Sequence, residues 1–167
     1  KAIYALSKRV DNRVRCVTLL SPCDDIGIMK AYLKEKFHAG LVQAREMLAA
    51  GNGEEFVDSD KTFYPMCART YIDYYEDGSD QDVFPYRTPN RPFVALASTS
   101  LPILATFGTD GEYTVDSPEE TIALLKRNVK RPDIFRGLSV HGAPHNYSGK
   151  ENELVFHIVD WLDTVFK

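Results

Sequence analysis

Seven residues with no charge among them, Leu101-Pro102-Ile103-Leu104-Ala105-Thr106-Phe107, run straight into Gly108. A short apolar run bounded in this way reads as a strand buried on both faces, and such strands belong to parallel sheets covered by helices. Arg15-Cys16-Val17-Thr18-Leu19-Leu20, ending at Ser21-Pro22, repeats the pattern. Phe135 to His141, stopped by Gly142, repeats it more weakly.

Helix signals stand between and after these runs. Ser117-Pro118-Glu119-Glu120 supplies an N-cap, a first-turn proline and an acid at the capping-box position, and Ile122, Leu124 and Leu125 follow on an apolar side. Ser148 and Glu151 offer a second capping box, after which Leu154, Ile158, Trp161, Leu162 and Val165 recur at helical spacing. Residues 1–9 read as a further helix, with Ile3, Leu6 and Val10 near one face. Alternating strands and helices predict an α/β fold of parallel strands joined by right-handed crossovers.

One connection breaks the rhythm. Roughly 80 residues separate the first two strands, against about a dozen in a simple crossover. The insert begins Cys23-Asp24-Asp25, with helices expected around residues 27–37 and 38–50, the second stopped by Gly51-Asn52-Gly53. An insert of this kind reads as a cap over one end of the sheet, with an ornamental helical pair as the alternative. Its Tyr71, Tyr74, Tyr75, Phe84 and Tyr86 are mixed with Asp73, Glu76, Asp77, Asp80 and Asp82. Either these form an aromatic, acidic rim suited to an apolar or cationic organic ester, or a solvated acidic loop covers an aromatic core. The second reading weighs more.

Composition narrows the partners. A chain of 167 residues makes one domain with a sizeable core, and 44% hydrophobic with 26% charged residues excludes a fibrous or disordered protein. No apolar run approaches the roughly 20 residues that cross a bilayer, so no membrane partner is expected. A net charge of −4 argues against nucleic acid. Cys16, Cys23 and Cys67 lack metal-type spacing and suggest a reducing, cytoplasmic setting, with one disulfide plus a free thiol as the alternative. The chain opens inside a helix pattern without an initiator Met, so a preceding segment is expected and targeting stays open.

Ligands of open parallel sheets bind beyond the carboxyl ends of the strands. Gly108-Thr109-Asp110-Gly111-Glu112-Tyr113 follows the second strand and Gly142-Ala143-Pro144-His145-Asn146-Tyr147 follows the third. An acid after one strand and a histidine after the next would meet above the sheet. There the acid would hold the imidazole in one tautomer, as a general base on a nucleophile requires.

In this order of elements the chain resembles the α/β-hydrolase superfamily, specifically its C-terminal half from the helix after the nucleophile elbow onward. Val14-Arg15-Cys16-Val17-Thr18-Leu19-Leu20-Ser21-Pro22 is similar to the sixth strand of such enzymes, and His141-Gly142-Ala143-Pro144-His145 is similar to their histidine loop. The resemblance covers nearly the whole chain and is most specific from Gly142 to Leu162. It implies hydrolase core at residues 1–23 and 93–167, with a helical cap at 24–92. It also implies that His145 is the general base and that the acid lies in the preceding loop. Family loops usually read Gly-x-x-Asp, but that position here is Gly111, so a one-residue shift is required. Asp110 is the expected acid because the following glycine lets a tight turn present it; Glu112 is the rival, and a merely polar turn is a third reading. Asp116 reads as helix-start chemistry. His141, His38 and His157 read as structural or solvated, and no metal site is expected.

The nucleophile is not in the chain. No two glycines have the spacing of a Gly-x-Ser-x-Gly elbow. The resemblance puts that elbow just before Lys1, so the expected partner is a missing N-terminal half of the same hydrolase. Ser7, Ser21 and Ser148 are not substitutes. The resulting expectation is a cap-bearing serine esterase acting on a small organic substrate without a cofactor, with this chain alone inactive. The alternatives are an Asp nucleophile of the dehalogenase or epoxide-hydrolase type and a non-catalytic, hydrolase-like binding protein.

Overall fold

The computed structural model describes residues 2–9, 11–88, 90–114 and 116–167. In chain order the elements are α1 (Ala2–Lys8), β1 (Val17–Leu20), α2 (Asp25–Leu33), α3 (Glu35–Ala49), α4 (Ala68–Tyr75), α5 (Val94–Ser98), β2 (Ile103–Asp110), α6 (Pro118–Asn128), β3 (Phe135–Pro144) and α7 (Glu151–Val165). Two compact units result: Lys1–Cys23 with Tyr86–Lys167, and Asp24–Pro85.

The first unit is a three-stranded, wholly parallel sheet in the order β1-β2-β3, flanked by helices. Its central strand is the apolar run, buried from Ile103 to Gly108. Side chains of β3 alternate between the two faces. Gly137 faces α6 so closely that a Cβ there would lie 2.1 Å from Ile122 Cγ2. Leu138 and Val140, on the other face, pack with Leu154 and Ile158 of α7. Helices therefore cover both sides, which is why the strand sequences carry so little polar alternation.

The Ser117–Glu120 capping box forms as expected, with Ser117 Oγ accepting the Glu120 N–H and Glu120 returning to the Ser117 N–H. The second expected box does not form. Helix α7 starts one residue after Lys150, which makes no side-chain cap. Gly149, at φ +78°, inserts a left-handed step between Ser148 and the helix, so the Ser148 hydroxyl misses the first turn. The Glu151 carboxylate instead accepts the N–H of Gly149 and its own, which holds it below the usual carboxylate range. Ile3 is buried in α1 as expected, while Val10 lies outside the described residues.

The chain leaves the first unit after Cys23 and rejoins it at Tyr86. Beside these points the Tyr86 hydroxyl donates to the Pro22 carbonyl at 3.0 Å, and its ring packs on Phe93.

The second unit is helical. Asp24 caps α2 by accepting the Gly27 N–H at 2.8 Å, and Lys34, at φ +54°, breaks α2 from α3. Helix α3 ends as its Gly51-Asn52 sequence demands. Gly51 is left-handed at φ +82°, Asn52 N–H donates to Met47 O and Gly51 N–H to Leu48 O. The core sets Ile26, Met29 and Leu33 against Phe37, Leu41 and Ala44, with Tyr71 and Tyr75 of α4 closing it. Tyr71 is fully buried, stacks edge-on to Tyr75 and donates its hydroxyl to Lys61 O. Tyr71, Tyr75 and Tyr86 are thus core rings, not rim. Among the described residues, no helix is long and apolar enough to cross a membrane.

Burial pushes the Tyr71 and Tyr75 phenols up to about 12. An unfolded phenol ionises near 10, so the unfolded chain loses its protons first as pH rises. The stability these groups contribute is complete below about pH 10 and is lost as pH climbs through about 12. An alkaline absorbance titration should therefore show two tyrosines ionising last, together with loss of the helical dichroism signal. Ionisation of both near pH 10 with the helices intact would contradict their place in the core.

Candidate active site

All three strands end on the same edge of the sheet, and the next residues of each converge there. Ser21 follows β1, Glu112 follows β2 and His145 follows β3. The convergence depends on a crossing of backbones. The pairing of β2 with β3 is regular to Gly108–Val140, then shifts to Asp110–Pro144. Two extra residues on β3 are absorbed at Gly142, left-handed at φ +66°, whose N–H donates to Thr109 Oγ1 at 2.8 Å. The strand then passes over Gly108 so closely that a Cβ on Gly108 would sit 2.2 Å from the Ala143 carbonyl oxygen. Only glycine permits this approach. Both strands consequently run past the glycines that were expected to stop them.

Beyond the crossing, Pro144 to Tyr147 makes a tight turn closed by the Tyr147 N–H on the Pro144 carbonyl at 2.8 Å. His145 sits at the first corner of that turn. Its Nδ1 lies 2.8 Å from Oε2 of Glu112. The other carboxylate oxygen, Oε1, accepts the Gly108 N–H at 2.6 Å and the Ser21 hydroxyl at 2.5 Å. The Glu112 side chain is only 5% exposed, against 34% for His145. Three hydrogen bonds compensate for burying the carboxylate, whose charge makes each stronger than a neutral one. The Tyr113 ring stands edge-on to the imidazole, centroids 4.7 Å apart.

A carboxylate only accepts hydrogen bonds, so a neutral His145 donates from Nδ1 and keeps its lone pair on Nε2. That leaves Nε2 free to take a proton from a nucleophile, with Glu112 steadying the charge that develops.

The partner of His145 is therefore Glu112, the rival, and not the expected Asp110. Gly111 does supply the turn, at φ +78°, but it presents the residue after it. Asp110 is the last residue of β2, paired through its backbone with Pro144 and exposed, and no hydrogen bond or ion pair joins it to His145 among the described residues. The extra methylene of glutamate spans the distance back over the strand end to the Gly108 N–H. His141 is exposed on β3 and His38 is exposed on α3, while His157 is partly buried on α7. No cluster of three metal-ligating side chains occurs among the described residues.

No hydroxyl or thiol is hydrogen-bonded to His145 among the described residues. Ser7 donates to Tyr4 O, and Ser21 is spent on Glu112. The sequence reading missed three participants: Ser21, Thr106 and Tyr147. Tyr147 OH lies 2.9 Å from Ser21 Oγ and 2.8 Å from Thr106 Oγ1. Thr106 had a signal, since it is the one hydroxyl inside the apolar run Leu101–Phe107. Ser21 and Tyr147 are found only when the strand ends are placed side by side.

The crossing at Gly108 and the turn at Gly111 respond differently to a methyl group. Gly108→Ala must displace backbone and should lower stability by about 3 kcal/mol. Gly111→Ala meets nothing within 4 Å, so it carries only the left-handed penalty of about 1 kcal/mol. Urea denaturation of both variants checks the ranking; equal losses would mean that the strands do not cross as described. No family model, curated protein or solved structure matches the chain.

Proposed function

We propose that the protein is part of a cap-bearing α/β hydrolase of the serine-esterase type, with a Ser-His-Glu triad of which this chain holds the base and the acid. The observation that carries this reading is the His145 Nδ1–Glu112 Oε2 contact of 2.8 Å at the carboxyl edge of a parallel sheet. It leaves Nε2 as the proton acceptor. The attacking serine, supplied from outside the 167 residues, would add to the ester carbonyl, and His145 would take its proton and return it to the leaving alcohol. Glu112 would hold the ring and offset the imidazolium charge. No cofactor takes part in this scheme, and the substrate is a small organic ester or related acyl compound.

One edge of the sheet supports this reading. Strand β1 has one strand neighbour, β2, among the described residues. Along β1 and α1 runs an open cavity of about 480 Å³, lined by Ala2, Ala5, Leu6, Val14, Cys16 and Thr18 among others. A parallel strand bearing the nucleophile elbow at its carboxyl end would pair with β1 there and deliver its serine to the edge that carries His145. The helical unit Asp24–Pro85, rooted after the carboxyl end of β1, is the proposed cap. None of Cys16, Cys23 and Cys67 is in a disulfide among the described residues, and a reducing, cytoplasmic setting is part of the proposal.

A preparation that carries the nucleophile-bearing segment decides the matter. It should be labelled by a fluorophosphonate and should hydrolyse p-nitrophenyl acetate. Glu112→Gln should lower kcat by about three to four orders of magnitude, because the amide favours the wrong tautomer. Asp110→Asn should change it by less than about twofold. Reversed effects would return the acid to Asp110. Hydrolysis of haloalkane or epoxide without labelling would indicate an Asp nucleophile, and neither label nor turnover would favour the binding protein.

A further inference from the structure

We propose that Thr106, Tyr147 and Ser21 form a one-way chain of hydroxyl donors that clamps Oε1 of Glu112 and thereby selects the Nδ1–H tautomer of His145, with Ser21 as the positioning residue. The inference rests on the reading of His145 as a base, and deepens it. Three contacts define the chain: Thr106 Oγ1 to Tyr147 OH at 2.8 Å, Tyr147 OH to Ser21 Oγ at 2.9 Å, and Ser21 Oγ to Glu112 Oε1 at 2.5 Å.

Proton counting gives the direction. Each hydroxyl has one proton, and the carboxylate at the end of the chain has none. Ser21 must give its proton to Glu112, so the Ser21–Tyr147 contact is made by the tyrosine proton. Tyr147 OH is then free to accept from Thr106, and at 2.8 Å it is a nearer acceptor for that proton than the Leu19 carbonyl at 3.5 Å. With Thr106 donating this way every proton points towards the carboxylate, and each bond polarises the next. Burial raises the Tyr147 phenol, which keeps that proton in place. All three hydroxyl residues are buried, Thr106 completely.

The backbone supports the same conclusion. Three non-glycine residues among those described adopt left-handed φ: Ser21 at +42°, Lys34 at +54° and Tyr147 at +58°. Lys34 separates two helices. The other two are hydrogen-bonded to each other at the strand ends. Strained backbone persists where the surrounding structure holds it, and it clusters at functional sites. Here it turns the Ser21 hydroxyl onto the carboxylate oxygen and the Tyr147 hydroxyl onto Ser21. Without Ser21, Oε1 would keep only the Gly108 N–H, and the carboxylate could rotate away from Nδ1.

The test reads the tautomer directly and requires no turnover. Side-chain ¹⁵N NMR of the full chain, at a pH where the ring is neutral, is compared for wild type, Ser21→Ala, Tyr147→Phe and Asp110→Asn. In the wild type and in Asp110→Asn, the unprotonated nitrogen of His145 should be Nε2. Ser21→Ala should lower the ratio of Nδ1–H to Nε2–H forms by roughly tenfold, the equivalent of one charge-assisted hydrogen bond. Tyr147→Phe keeps the ring and Ser21, and should shift the ratio the same way by less. A folded Ser21→Ala protein with the wild-type tautomer overturns the proposal. If Ser21→Ala does not fold, Tyr147→Phe decides alone, and an unchanged ratio there overturns it. Failure of the esterase reading would look different: no fluorophosphonate labelling, with the tautomer shifts intact.

Discussion

The site exists because one backbone passes over another at Gly108. Parallel strands bring the loops at their carboxyl ends to one edge of the sheet, where ligands bind. Here β3 carries two extra residues, bends at Gly142 and lays the Ala143 carbonyl across the face of Gly108. Next to that crossing the Gly108 N–H lies within 2.6 Å of Glu112, so one glycine serves the His145 loop through its missing side chain and the carboxylate through its amide. Everything else at the edge, including the turn at Gly111, is arranged around this contact.

A glutamate in place of the shorter acid is a geometric consequence of the same crossing. Once the histidine loop lies over Gly108, the residue best placed to meet it is one that folds back over the end of β2. Asp110, in register with Pro144, still belongs to the ladder and points to solvent. A buried carboxylate with a free oxygen would carry a desolvation penalty of several kcal/mol. The hydrogen bonds from Gly108, Ser21 and His145 remove it, and they leave the carboxylate little freedom to turn.

Much of this framework was legible in the sequence, for definite reasons. The strands announced themselves because burial on both faces forces continuous apolar runs, and α6 announced itself because Ser117 and Glu120 stand at capping-box spacing around a first-turn proline. His145 stood out through its resemblance to a histidine loop and its place just past a strand, and the structure brings it to Glu112. The choice between Asp110 and Glu112 was not, because both sit beside Gly111 and the deciding contact comes from a strand some thirty residues away. Glycine was misread for a similar reason. At 108 and 142 it marked close approach and a bulge, not the end of a strand. The false capping box at Ser148 has the same origin, since the left-handed step at Gly149 is invisible to a pattern of residue types.

The hydrogen bond from Tyr86 to the Pro22 carbonyl joins the two points at which the long insert departs and returns. Seen from the sheet, the insert is then a closed loop whose ends are already held together. The entropy of closing a loop grows only slowly with its length, so a pinched root makes the size of the insert nearly irrelevant to the pairing of β1 with β2. A longer or shorter helical unit therefore adds little to the entropy of pairing β1 with β2 while Pro22 and Tyr86 stay in contact. A fold organised in this way can exchange the helical segment between Pro22 and Tyr86 without rebuilding the sheet edge that carries Ser21, Glu112 and His145.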